Sequence, residues 1–158
     1  MDVHEPTPAS LRVTAMYLLA MREHSAKELW VKLAKRCEQT DLLFATVAKL
    51  QRDGLQSDVR FAQAFINMRL RQGKGAQLIR LELREKGISD ELIHEYLINS
   101  LQEADWNLLA LKAYRKKFGD TPLADLKEKS KRIRFLTARG FSTANILYAL
   151  QQSLLQID

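Results

Sequence analysis

Apolar residues fall at intervals of three and four along most of the chain. Leu29 and Leu33 lie one turn apart in SAKELWVKL, and Phe61, Ala62, Phe65 and Ile66 form one stripe in DVRFAQAFINM, the spacing of amphipathic helices. Polar residues stand where such helices should begin. Ser25 and Glu28 make an S-x-x-E pair in which each side chain satisfies the other's free backbone N–H. Ser57 or Asp58 can cap the next stripe, and Ser89 precedes Asp90 and Glu91, anions that suit the positive end of a helix. GDTPLADL offers Thr121 as a cap with Pro122 at the first helical position. No stretch alternates with period two in Val, Ile and Thr, so no strand is expected. The fold class is all-α.

The helical pattern repeats. Ser25-Ala26 with Leu29 and Leu33 matches Gly75-Ala76 with Ile79 and Leu83 at an offset of 50. Lys86-Gly87-Ile88-Ser89 with Ile93 and Leu97 matches Arg139-Gly140-Phe141-Ser142 with Ile146 and Leu150 at an offset of 53. Each unit reads as helix, helix, basic-Gly-apolar-Ser turn, helix. An N-terminal tail over 1–8 then precedes three three-helix repeats at 9–54, 55–102 and 103–155. Gly87 and Gly140 are placed as left-handed helix ends, and the cation before each suits the negative end of its helix. In the first unit this turn has decayed to Arg36-Cys37-Glu38-Gln39. A three-helix unit has a thin core, so the repeats are expected to stack into an elongated, curved array.

Charge adds a direction to this picture. Residues 1–59 carry 8 Lys/Arg and 8 Asp/Glu, residues 60–86 carry 7 and 2, residues 87–111 carry 0 and 5, and residues 112–139 carry 10 and 3. Two basic blocks flanking an acidic one suit oriented binding to a polyanion or to a partner of alternating charge. No apolar run approaches the roughly 18 to 20 residues that span a bilayer, and the N-terminus lacks the pattern of a signal peptide. The single cysteine, Cys37, excludes an internal disulfide. A cytoplasmic monomer is expected.

The candidate chemistry is binding. RLRQGKGAQLIRL matches neither phosphate-loop pattern, because no Lys-Ser/Thr follows the glycines and no strand precedes them. Gly73 and Gly75 instead read as a joint between helices, as do Gly87 and Gly140. Arg80 and Arg84, one turn apart and angled away from Ile79 and Leu83, predict an exposed face that Arg71 and Lys74 extend. Such an edge suits phosphate oxygens or carboxylates. A second set follows: Lys112, Arg115, Lys116 and Lys117 at one helix end, then Lys127, Lys131 and Arg134 along the next helix. Arg69 falls inside the Phe61–Ile66 stripe and needs a carboxylate or helix-end carbonyls. Tyr114 and Phe118 could stack bases, but their spacing favours core, as it does for Trp30 and Trp106. His4, His24 and His94 are scattered with no orienting carboxylate, so neither catalysis, a metal nor a cofactor is expected.

The stretch GLQSDVRFAQAFINMRLRQGKGAQLIRLELREKGIS, residues 54–89, resembles the central signature of the RecX family, with AMREHSAKEL before it and KKFG…KRIRFLTARGFS after it. Ser57-Asp58 stands where that family has two acidic residues. The resemblance implies three tandem three-helix repeats, no enzyme activity, and binding of RecA along the groove or at the end of its filament on DNA. It also implies modulation, in most members inhibition, of RecA's ATP hydrolysis, strand exchange and co-protease activity in recombination, repair and the SOS response. The residues alone leave two alternatives open: a sequence-nonspecific DNA-binding module that acts without RecA, and a structural scaffold.

Overall fold

A computed structural model describes residues 5–155. Among the described residues the chain is helical with no strand: α1 (Pro8–Met21), α2 (Ala26–Ala34), α3 (Thr40–Arg52), α4 (Asp58–Arg71), α5 (Ala76–Glu85), α6 (Asp90–Ile93), α7 (Glu103–Phe118), α8 (Leu126–Ala138) and α9 (Thr143–Leu155). A π-helical turn, His94–Ile98, continues α6 and replaces the single regular helix that SDELIHEYL predicts. The expected caps form at three helices. Ser25 and Glu28 make the reciprocal capping box of α2, Ser57 accepts from the Arg60 N–H at α4, and Ser89 accepts from the Leu92 N–H at α6.

Helices α1–α3 enclose one core, with Leu29, Leu33 and Leu50 fully buried. Helices α4–α9 share a second, continuous core built on Ile79, Leu83, Leu97, Ala110, Leu136 and Ala149. The accessible surface is 10232 Å², above the roughly 8,100 Å² of a compact monomer of this mass. The chain is an extended tandem of three-helix units.

Two joints connect the units, and both use the same parts: the start of a second helix packs on the glycine turn of the following unit. At the first joint a Cβ on Gly87 would lie 2.7 Å from the Lys27 side chain. The Ala26 N–H donates to Asp58 (2.9 Å), Lys27 Nζ donates to the Glu85 carbonyl (3.0 Å), and Lys86 reaches Glu28 (3.4 Å). Asp58 also accepts from Gln56 Nε2, so this first-turn acid of α4 ties the second unit to the first.

At the second joint backbone meets backbone. The Gly75 N–H donates to the Arg139 carbonyl (2.7 Å) and the Gln77 N–H to that of Gly140 (3.0 Å). Gly140 has φ +99°, open to glycine alone without strain. Gly75 has φ −92°; glycine serves there through closeness, since a Cβ would stand 2.4 Å from the Gly140 carbonyl.

The third unit departs from the sequence expectation. Thr121 and Pro122 do not start a helix; α8 begins at Leu126 with Asp125 as its cap. The reason is Arg132, the largest fully buried side chain, 1% exposed. Its guanidinium donates to the Tyr114 hydroxyl (2.6 Å), the Thr121 carbonyl (2.9 Å), the Pro122 carbonyl (3.3 Å) and Glu128 (3.0 Å), and it lies over the Tyr114 and Phe118 rings. Residues 119–125 stay non-helical and their carbonyls serve a buried cation, which would otherwise be too costly.

Glu28 makes the first joint sensitive to acid. Its carboxylate accepts from the Ser25 N–H and Arg22 and pairs with Lys86. Burial pushes its pKa up, but the bonds from Arg22 and Ser25 and the charges of Arg22 and Lys86 outweigh it. The result is a fall from 4.5 to about 2. A carboxyl depressed in the folded state stabilises fully above its unfolded pKa and loses that contribution as pH falls toward the folded one. Discounting for the half-exposed Arg22, the contribution is on the order of 2 kcal/mol. Urea denaturation of the native protein and Glu28→Gln at stepped pH should give stabilities that converge between about pH 4.5 and pH 2. Parallel curves over that window would remove Glu28 from this role.

Candidate functional site

A groove of about 220 Å³ lies at the joint between the second and third units. Helix α7 presents Leu109, Lys112, Ala113 and Lys116 to it, a set one face of a helix brings together, and Lys117 joins their rim. The end of α4 contributes Leu70 and Arg71, and α8 contributes Phe135, with Arg139 following at its end. Five cations and no carboxylate line it. Arg71, Lys112, Lys116 and Lys117 are exposed, and no described residue forms an ion pair with any of the five. Arg139 donates to the Gln72 carbonyl (3.0 Å) and lies 5.1 Å from the centre of the Phe135 ring; Lys117 lies 5.6 Å from it.

The first joint holds the equivalent groove with the opposite outcome. Phe61, Ala64, Phe65 and Met68 line it where Leu109, Lys112, Ala113 and Lys116 line the second, an offset of 48. Lys86 there stands for Arg139, and the cations are cancelled: Glu28 binds both Arg22 and Lys86, and Glu23 binds Arg60. Inside the second unit Arg69 pairs with Glu82 and lies over Phe65, the carboxylate its sequence position called for. In the second and third units the sequence counterparts of Glu23, Glu28 and Glu82 are Gly73, Leu78 and Phe135. Three acids and two arginines (Arg22 and Arg60, replaced by Gln72 and Leu108) are gone, two lysines have been added, and the groove's five cations are left without a carboxylate partner among the described residues.

The other candidates lie elsewhere. Lys127, Lys131 and Arg134 are exposed on the outer face of α8, one stripe apart from the groove. Arg115 and Lys74 are half-buried outside it. Arg80 and Arg84 do not form the expected common exposed face. Arg80 is half-buried in a cleft with Trp106, Glu103 and Asn145, its Nε without a partner among the described residues, because α5 is docked on the third unit. Arg84 pairs with Asp90 at 2.9 Å. Arg139 and Arg132 were the residues sequence reasoning missed. The alignment of Arg139 with Lys86 was the available signal for the first; nothing local marked the second.

Tyr114 is fully buried, Phe118 packs against the core and Trp106 is buried, as their spacing suggested. His24 is buried between the Arg22 carbonyl and Lys32 Nζ, and burial lowers its pKa, so it stays neutral and structural. Cys37 is buried, and His4 lies outside the described residues. No group of three or more His, Cys, Asp or Glu among the described residues is placed to hold a metal. No described helix is long and apolar enough to cross a membrane.

The model of the second three-helix domain of RecX matches residues 57–97, and that of the third matches residues 109–150. The chain is 41% identical over 150 residues to the regulatory protein RecX of Chromohalobacter salexigens, covering 95% of each. It is 42% identical over 129 residues to that of Legionella pneumophila, covering 81% of this chain and 84% of that one. The crystal structure of RecX from Lactobacillus salivarius superposes with a TM-score of 0.77 at 20% identity over 94% of this chain and 97% of that one, a likeness of fold.

Proposed function

The chain belongs to the RecX family of regulatory proteins, and on that premise we propose that it binds the RecA–DNA filament and slows RecA's ATP hydrolysis, with the groove at the second joint as its main contact. The observation that supports this reading is the five unpaired cations, drawn from both basic blocks of the sequence and gathered where the equivalent first groove is neutralised from within. Such a site holds its charge for something outside the chain. The exposed Lys127, Lys131 and Arg134 of α8 extend the positive surface and suit backbone phosphates. The protein acts in the cytoplasm and does no chemistry of its own. By bridging neighbouring RecA subunits, an extended three-unit array opposes the rearrangement that accompanies ATP turnover.

The test is RecA's single-stranded-DNA-dependent ATP hydrolysis, titrated with this protein from well below the RecA concentration upward. Inhibition is expected at a small molar fraction if the protein blocks growing filament ends, and near equal amounts if it occupies the groove. Hydrolysis unchanged at every ratio would remove the reading, and steeply salt-dependent binding to DNA alone would then point to a module that acts without RecA.

A further inference from the structure

We propose that the occupant of the second groove is an acidic peptide segment carrying an apolar side chain, with carboxylates on the rim cations and the apolar group on the floor. The proposal deepens the filament-binding reading above and rests on it for the site. Three observations carry it.

The first is the floor. Leu70, Leu109, Ala113 and Phe135 are half-buried and pack on the core, while Arg71, Lys112 and Lys116 around them are exposed. A sugar-phosphate backbone uses the cations and leaves such a floor uncovered; a peptide with acids around a Phe or Leu uses both. The second is Phe135. Lys117 and Arg139 sit over its ring and the Phe118 ring meets it edge to face at 5.3 Å, so a base stacking there would have to displace cations that its own phosphates would need. The third is internal. At the first groove the position equivalent to Leu78 is Glu28, whose carboxylate takes Lys86 and Arg22, above a floor of Phe61, Phe65 and Met68. The chain's own carboxylate thus lines the first groove, and the second, which no carboxylate lines, is open to one from outside.

Fluorescence anisotropy tests this with three labelled probes: a short Asp/Glu peptide with one Phe, the same peptide with Ser in place of Phe, and oligo(dT). The Phe peptide should bind the full-length protein about ten-fold more tightly than the Ser peptide, the scale of burying one large apolar side chain, and more tightly than oligo(dT). Lys112→Glu/Lys116→Glu should lose both peptides, and Ala113→Gln, which fills the floor, should lose only the preference for Phe. Equal binding of the two peptides, or tighter binding of oligo(dT) that Lys112→Glu/Lys116→Glu removes, would overturn the proposal in favour of a purely electrostatic or a nucleic-acid occupant. If the peptides fail while that double variant still weakens inhibition of RecA, the occupant is wrong and the filament-binding site stands. If inhibition is absent or insensitive to the variant as well, both readings fall.

Discussion

Reversing two groove lysines together, Lys112→Glu with Lys116→Glu, should raise the concentration needed for half-maximal inhibition of RecA ATP hydrolysis by about a hundred-fold. Each substitution removes one attractive charge and adds a repulsive one. At an exposed rim the combined change is on the order of 1.4 kcal/mol per position, and two positions multiply to that factor. The fold should tolerate the change, because both lysines are exposed and pair with no described carboxylate; an unchanged circular dichroism spectrum and melting temperature would show it. Two comparisons give the result its meaning. Arg84→Ala breaks an exposed pair with Asp90 outside the groove and should shift inhibition by less than about three-fold. Lys127→Glu/Lys131→Glu reverses the same number of charges on the outer face of α8. An α8 variant that loses as much inhibition as the groove variant would move the main contact to that face.

Arg132→Ala should destabilise the protein by about 3 kcal/mol, read as a lower urea midpoint and a melting temperature down by about 10 °C. Truncation empties a space in the third unit that the surrounding rings fill only in part. It also leaves the buried Tyr114 hydroxyl, the Thr121 and Pro122 carbonyls and Glu128 without their donor. Burial works to lower the pKa of Arg132, but the bonds to Tyr114 and Glu128 outweigh it and raise it, so the group is charged at any pH where the protein folds. Arg132→Lys tests the geometry separately. Lysine keeps the charge but cannot reach all four acceptors from one ammonium, so it should recover only part of the loss. A Lys variant as stable as the native protein would show that charge alone is required, and an Ala variant within about 1 kcal/mol of native would remove the buried arginine from the account of stability.

The residues behind these experiments differ in how far the sequence exposed them. Lys112 and Lys116 stood out as basic, yet so did Arg80 and Arg84, and only the fold separated an open groove from a half-buried side chain and a paired one. Arg132 sits between Lys131 and Ile133 in a run that reads as a solvated helix face. Its burial follows from a helix register and a neighbouring loop that no local pattern announces, and the same register left Thr121 and Pro122 outside the helix they were expected to open.

By itself the sequence determined the helical class, the Ser caps of α2, α4 and α6, the glycine turns and the repeat. These depend on interactions between residues a few positions apart, which periodicity and capping chemistry make visible. The tertiary structure decided which charges are satisfied. Pairing at a joint depends on side chains far apart in the chain: Glu28 cancels Lys86, 58 residues on, at the first groove, while no carboxylate lines the second, which stays positive. A cation is free or spent according to what the next unit sets against it, and that is settled only when the units have packed.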